Sequence, residues 1–212
     1  MPIFEPLARL RQRLQSKWDL LGSVESGHVV TELDDLYIVV MGRRFHHDRT
    51  SLKEISERIA RREVMVEVGS LAGFSTRVFT QHFNKVISVD PYRPGYDAMD
   101  GNSNARRLEL ARSLFLLRFF DDPRVEQLNV KSTDAAGRFD DASLDFVYVD
   151  GDHTYQGVKD DLVAWLPKIR PGGFIGGDDY DWGEQKDVQR AVREILGEVE
   201  IFGGGRWLKS VA

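Results

Sequence analysis

From Val64 onward the chain alternates short apolar runs with amphipathic stretches, and this alternation limits the available folds more than any other feature. Val64 to Val68, Lys85 to Val89, Arg124 to Val130, Leu144 to Val149 and Phe174 to Gly177 read as strands. Ser75 to Phe83, Asn104 to Phe120 and Tyr155 to Ile169 read as helices, the last stopped by Pro171-Gly172-Gly173. Near-continuous apolar strands separated by helical crossovers build a parallel sheet covered on both faces. Lys186 to Leu196 is a further helix. Val199 to Phe202 and Arg206 to Ser210 then flank a glycine turn, the mark of a hairpin. The expected fold is therefore α/β: a doubly wound, mostly parallel sheet with a C-terminal antiparallel hairpin strand.

The first 62 residues have a different texture and read as an N-terminal helical cap, with the α/β domain at 63–212. Pro6 to Leu21 is an amphipathic helix, Leu36 to Met41 a short apolar run, and Ser51 to Arg62 a second helix. Ser51 with Glu54 three positions on fits a capping box. A chain of 212 residues suits one such domain. It contains no cysteine, which excludes a disulfide scaffold, a thiolate zinc site and a cysteine nucleophile, and suits a reducing compartment. With 29 basic against 34 acidic residues the net charge is −5, which argues against a nucleic-acid partner. No run approaches a membrane span, and Met1-Pro2-Ile3-Phe4-Glu5 lacks the basic start of a signal peptide. A cytoplasmic protein with no membrane partner is expected.

In such sheets ligands bind beyond the carboxyl ends of the strands. The first strand runs into Gly69-Ser70-Leu71-Ala72-Gly73 and then a helix start. Glycines there let backbone approach a ligand closely, and helix N–H groups offer donors to an anion. The spacing is Gly-x-x-x-Gly, so the dinucleotide fingerprint is not met. Asp90 closes the second strand 21 positions beyond Gly69, where an acid is placed to hold ribose hydroxyls. The fourth strand ends Asp150-Gly151-Asp152-His153 and the fifth ends Asp178-Asp179-Tyr180. Carboxylates converging there repel unless a cation balances them, and oxygen ligands without cysteine favour Mg²⁺ or another hard divalent ion. Asp152 or Thr154 also suits a helix cap before Tyr155.

Glu67 to Thr76 resembles the first motif of class I S-adenosylmethionine-dependent methyltransferases, in the form found in catechol and caffeoyl-CoA O-methyltransferases. The resemblance extends from about Val64 to the C-terminus. It implies a Rossmann-like domain and S-adenosyl-L-methionine as cofactor, with Glu67, Gly69, Ser70, Gly73 and Ser75 in the first motif. Asp90 would hold the ribose, and Ser132 and Thr133 would lie by the adenine. Asp150, Asp178 and Asp179 match the metal-binding acids of the metal-dependent members, with Asp150 also beside the cofactor. The acid pair and His153 are more similar to the macrocin type, which methylates macrolide sugars, than to the catechol enzymes, which place lysine at the histidine position. An aliphatic hydroxyl is a poor nucleophile, so a base is needed. His153, with Asp150, is the expected catalytic group, and a small hydroxylated molecule the expected acceptor.

Two other readings share these motifs: a metal-dependent hydroxylase or hydrolase of the cephalosporin hydroxylase type, and an NAD-dependent oxidoreductase. His28, His46, His47 and His82 read as structural or exposed, and Tyr92 to Asn104 as a long polar loop or substrate lid. Trp182 is placed to stack on a ring or to pack on the sheet edge. The acceptor, the pathway and the state of assembly, a homo-oligomer included, are left open by the sequence.

Overall fold

A computed structural model describes residues 49–181 and 183–212. The first predicted helix, the Leu36 to Met41 run, His28, His46, His47 and Trp182 lie outside the described residues. The elements are α1 (Arg49–Arg58), β1 (Val64–Val68), α2 (Phe74–Phe79), β2 (Lys85–Val89), α3 (Ala105–Phe119), β3 (Val125–Leu128) and α4 (Ser132–Ala136). There follow β4 (Leu144–Val149), α5 (Tyr155–Trp165), β5 (Ile169–Gly177), α6 (Asp187–Leu196), β6 (Glu200–Phe202) and β7 (Arg206–Ser210). One sheet carries them in the order β3-β2-β1-β4-β5-β7-β6. β1 to β5 run parallel, and β7 is antiparallel to both its neighbours. The expected Rossmann-like architecture and the terminal antiparallel strand are both present.

The central strands are largely apolar because both faces are covered, with Glu67, Ser88 and Asp145 the buried polar exceptions in β1, β2 and β4. Along β1 and β4, Val66, Val68, Val147 and Val149 pack on one side with Leu162, Trp165 and Trp207. Met65, Phe146 and Tyr148 alternate to the other side, against Phe79 and against Leu52 and Ile55 of α1. This is the two-residue period of a strand buried on both faces.

Register then sets the functional edge. Val68 pairs with Val89 on one side and Val149 on the other, and Val149 pairs with Gly177. Gly69, Asp90, Asp150 and Asp178 each come one residue later, so they stand in a row at the carboxyl edge. Backbone bonds extend the pairing to them: Gly69 N–H donates to Val89 at 2.9 Å, Asp150 to Val68 at 2.8 Å and Asp178 to Val149 at 3.2 Å.

Two local expectations are corrected. Ser51 is not a helix cap but a buried residue inside α1, and its hydroxyl accepts from Arg206 at 2.5 Å. β5 begins at Ile169 and runs through Pro171-Gly172-Gly173. The Gly172 N–H donates to the Val211 carbonyl and the Val211 N–H to Gly173, both at 2.8 Å, so long-range pairing overrides the breakers. Thr154 is the cap of α5, accepting from Gly157 N–H at 3.1 Å, while Asp152 accepts from Thr154 N–H at 2.9 Å.

Candidate active site

A cavity of about 720 Å³ lies over this edge, within the size range of small-molecule sites. It is lined by Gly69, Ser70, Ser75, Asp90, Ser132 and Thr133 toward one end, and by Asp150, His153, Asp178 and Asp179 toward the other. All but two of the residues singled out from sequence thus face one space. Glu67 is absent from the lining. Its buried carboxylate accepts from the Ser75 hydroxyl and, at 2.5 Å, from Thr76 Oγ1, so it anchors the first turn of α2 from below. Burial outweighs these two bonds and pushes its pKa up to about 7. Gly73, the other exception, sits at φ +80° as the α2 cap, where an added Cβ would meet the Phe119 ring at 2.4 Å.

Gly69 is required by contact as well as by conformation. At φ +83° it occupies the left-handed region, and a Cβ there would lie 1.9 Å from the Asp150 carbonyl oxygen. The glycine lets the β1 turn close against the end of β4. Ser70 and Ser88 hydroxyls meet beneath the turn at 2.5 Å.

Asp90 is held by backbone donors from two elements. Leu71 N–H donates to Oδ2 at 2.9 Å and Tyr92 N–H to Oδ1 at 2.7 Å. Leu71 and Tyr92 both take positive φ, 45° and 46°, a sparsely populated backbone conformation at both donor residues. Burial raises Asp90 to about 6, against the lowering effect of both bonds. Each oxygen retains acceptor capacity for further donors.

At the adenine end predicted from the resemblance, Ser132 Oγ accepts from Trp165 Nε1 at 2.7 Å. Asp161 also lines this end and is buried, which pushes its pKa up to about 7 against a hydrogen bond from Ser132. Sequence reading passed over Asp161. The signal was there: it lies with Val158, Leu162 and Trp165 on the buried stripe of α5, where an acid is out of place.

The acids at the other end do not act alike. Asp150, His153 and Asp179 each direct a ligand atom to one point, all within 4.8 Å of one another. His153 Nε2 is 3.0 Å from Asp179 Oδ2 and 3.9 Å from Asp150 Oδ1, and Nδ1 is 3.5 Å from Asp97 Oδ2. Asp178 stands aside: Oδ2 faces Arg206 Nε at 3.2 Å, and Oδ1 accepts from Asp179 N–H at 2.9 Å. Asp179 holds a positive φ of 57° for a residue with a side chain.

Burial raises Asp150 well above the carboxylate range, with Asp178 and Asp179 adding to the rise and His153 opposing it. For His153, burial lowers the pKa, but the facing Asp150 and Asp179 carboxyl groups outweigh it and push the ring up to about 11. The His153 ring thus stands between the two carboxyl groups, at the place where positive charge is favoured. The carboxylate oxygens of Asp150 and Asp179 suit a hard divalent ion, so they fit the metal that the acid pattern implied, with the His153 ring beside them. Asp97, within the polar loop, and Arg206, at the start of β7, join Asp161 among the site residues missed from sequence, and no local pattern marks either of them.

A Rossmann-like sheet with a glycine turn, a strand-end acid and an acidic rim defines a class of cofactor-binding enzyme domains. Residues 66–180 match the sequence profile of a family described as "Methyltransferase domain", and with more than half its length matched the chain belongs to that family. A Staphylococcus aureus protein described as a candidate caffeoyl-CoA O-methyltransferase shares the fold with a TM-score of 0.60 and 15% identity, over 93% of this chain and 98% of that one. CalS11, a TDP-rhamnose 3′-O-methyltransferase of calicheamicin biosynthesis, does so with a TM-score of 0.53 and 18% identity, over 96% and 93%. The protein R132 of Acanthamoeba polyphaga mimivirus is 24% identical over 167 residues, 76% of this chain and 72% of its own.

Proposed function

We propose that the protein is an S-adenosylmethionine-dependent O-methyltransferase that uses a divalent cation, Mg²⁺ first, to methylate a hydroxyl of a small, sugar-like or natural-product acceptor. One observation carries this reading. Asp150, His153 and Asp179 converge within 4.8 Å of one another in the same cavity that the glycine turn and Asp90 line. The family assignment favours methyl transfer over the hydroxylase and NAD readings.

Asp90 accepts the ribose hydroxyls, and the Gly69 turn lets backbone come up against the methionine portion. Ser132 and Thr133 border the adenine. Glu67 and Ser75 keep the turn and the start of α2 in register beneath it. Asp150 and Asp179 would hold the cation, which would supply a lowered pKa to the acceptor hydroxyl and charge balance to both carboxylates. The neutral His153 ring would then be placed for Nε2 to take the hydroxyl proton, with the acceptor oxygen in line with the donor methyl, while Asp97 faces the ring from the Nδ1 side. Incubation with methyl-labelled S-adenosylmethionine and a panel of glycosides, with and without Mg²⁺, tests the reading. Label should appear on oxygen only when the ion is present, and label on nitrogen or carbon contradicts it.

A further inference from the structure

Arg206 opens β7 directly beneath the acidic rim, and it is 4% exposed. Its Nε lies 3.2 Å from Asp178 Oδ2. A terminal nitrogen donates to Ser51 Oγ of α1 at 2.5 Å and to the Gly203 carbonyl at 3.3 Å. The Tyr148 side chain, fully buried in β4, lies against both Arg206 and Asp178. The guanidinium is thus fixed from three elements, and both Asp178 oxygens are engaged.

A cation that recruited Asp178 would have to break a charge-assisted contact and leave a buried guanidinium without its carboxylate. Stranding a buried charge in this way is costly. Among the described residues the close ion-pair partner of Asp150 and Asp179 is His153, whereas Arg206 makes its direct contact with Asp178. The acid that the sequence pattern would count as a third metal ligand is already spoken for.

We propose that Arg206 is a positioning residue that withholds Asp178 from the divalent cation, leaving Asp150 and Asp179 as its carboxylate ligands and keeping the affinity of the site low. This rests on the reading of Asp150 and Asp179 as the cation site. Ser51 brings α1 into the same arrangement, because its hydroxyl accepts from a terminal nitrogen of the guanidinium whose Nε faces Asp178.

Calorimetric titration of the full-length protein with Mn²⁺ tests it. Arg206→Gln releases Asp178 and should tighten Mn²⁺ binding by about tenfold or more, the worth of one charge-assisted contact. Arg206→Lys keeps the charge and should stay within about threefold of wild type. The double variant Asp178→Asn with Arg206→Gln removes both charges together and leaves neither stranded, so it folds even where the single variant does not. It should bind Mn²⁺ within about threefold of wild type, whereas Asp150→Asn should lose more than about a hundredfold. A double variant that loses binding as Asp150→Asn does would make Asp178 a direct ligand and overturn the proposal. Unchanged affinity in a folded Arg206→Gln would overturn it equally. Wild-type protein that does not bind Mn²⁺ would remove the cation site itself and this inference with it.

Discussion

His153 and Asp179 face each other across the rim of the cavity, ring Nε2 to carboxylate Oδ2 at 3.0 Å. The contact joins the loop after β4 to the loop after β5, so the group proposed as base and a group proposed as metal ligand are fixed relative to each other by two adjacent strand ends. Replacing His153 with Ala should lower kcat by about 10²–10⁴-fold, the usual worth of a positioned base. S-adenosylhomocysteine affinity should barely change, since the ring lies on the acceptor side. Turnover and melting temperature measured on the same variant decide the matter. A less stable protein with near-normal turnover would make the ring a packing residue.

Asp97 Oδ2 lies 3.5 Å from His153 Nδ1, and the acid is itself tied down by accepting from Met99 N–H at 2.8 Å. Asp97→Asn should lower kcat by about 10–100-fold, the range for second partners of functional histidines, with KM for the methyl donor unchanged. A matching loss in donor KM would instead place Asp97 in the cofactor pocket.

Gly69→Ala puts a Cβ 1.9 Å from the Asp150 carbonyl in a backbone region that L-residues avoid. Conformation alone costs about 1–2 kcal/mol, and the clash with main chain adds to it. Gly73→Ala meets only the Phe119 and Phe115 rings, which can give way. Chemical denaturation should therefore rank Gly69→Ala as the more destabilised, and the reverse order would contradict the packing described here.

Glu67 gives a pH signature with a defined sign. Its carboxyl holds a proton up to about 7 when folded, against an ordinary value of 4.5. Between those values the folded state binds more protons, so this group's contribution is full below pH 4.5 and is lost as pH rises to about 7. Glu67→Gln lacks the effect. Relative to wild type its stability should rise across that interval by about 3 kcal/mol, at roughly 1.4 kcal/mol per unit, and then level off. A flat difference would show that Glu67 stays ionised.

How much of this was legible in the sequence depends on whether a feature is local. β1 and β4 were readable because strands buried on both faces are nearly all apolar, and the glycine turn after β1 and the acids after β4 stood out against those runs. Asp90 and Asp150 followed, since register carries them to the same edge. The early start of β5 was hidden because Pro171-Gly172-Gly173 breaks local structure, while its pairing with Val211 is made 38 residues away. Ser51 looked like a cap because a capping box is a local pattern; its actual partner, Arg206, is 155 positions on. The same distance concealed what Arg206 does to Asp178, and with it the difference between three acids in a row and the two that converge with His153. Glu67 belonged to a motif, but only the fold shows it holding the turn from beneath.

Calorimetric titration with S-adenosylhomocysteine and, separately, with NAD, each in the presence and absence of Mg²⁺, tests the central claim most directly. S-adenosylhomocysteine should bind and raise the melting temperature by mass action. Asp90→Asn should weaken that binding, since the acid would no longer offer two acceptor oxygens to the ribose. NAD should give neither heat nor a shift. Binding of NAD with no response to millimolar S-adenosylhomocysteine would contradict the account, whatever the acids at the rim turn out to hold.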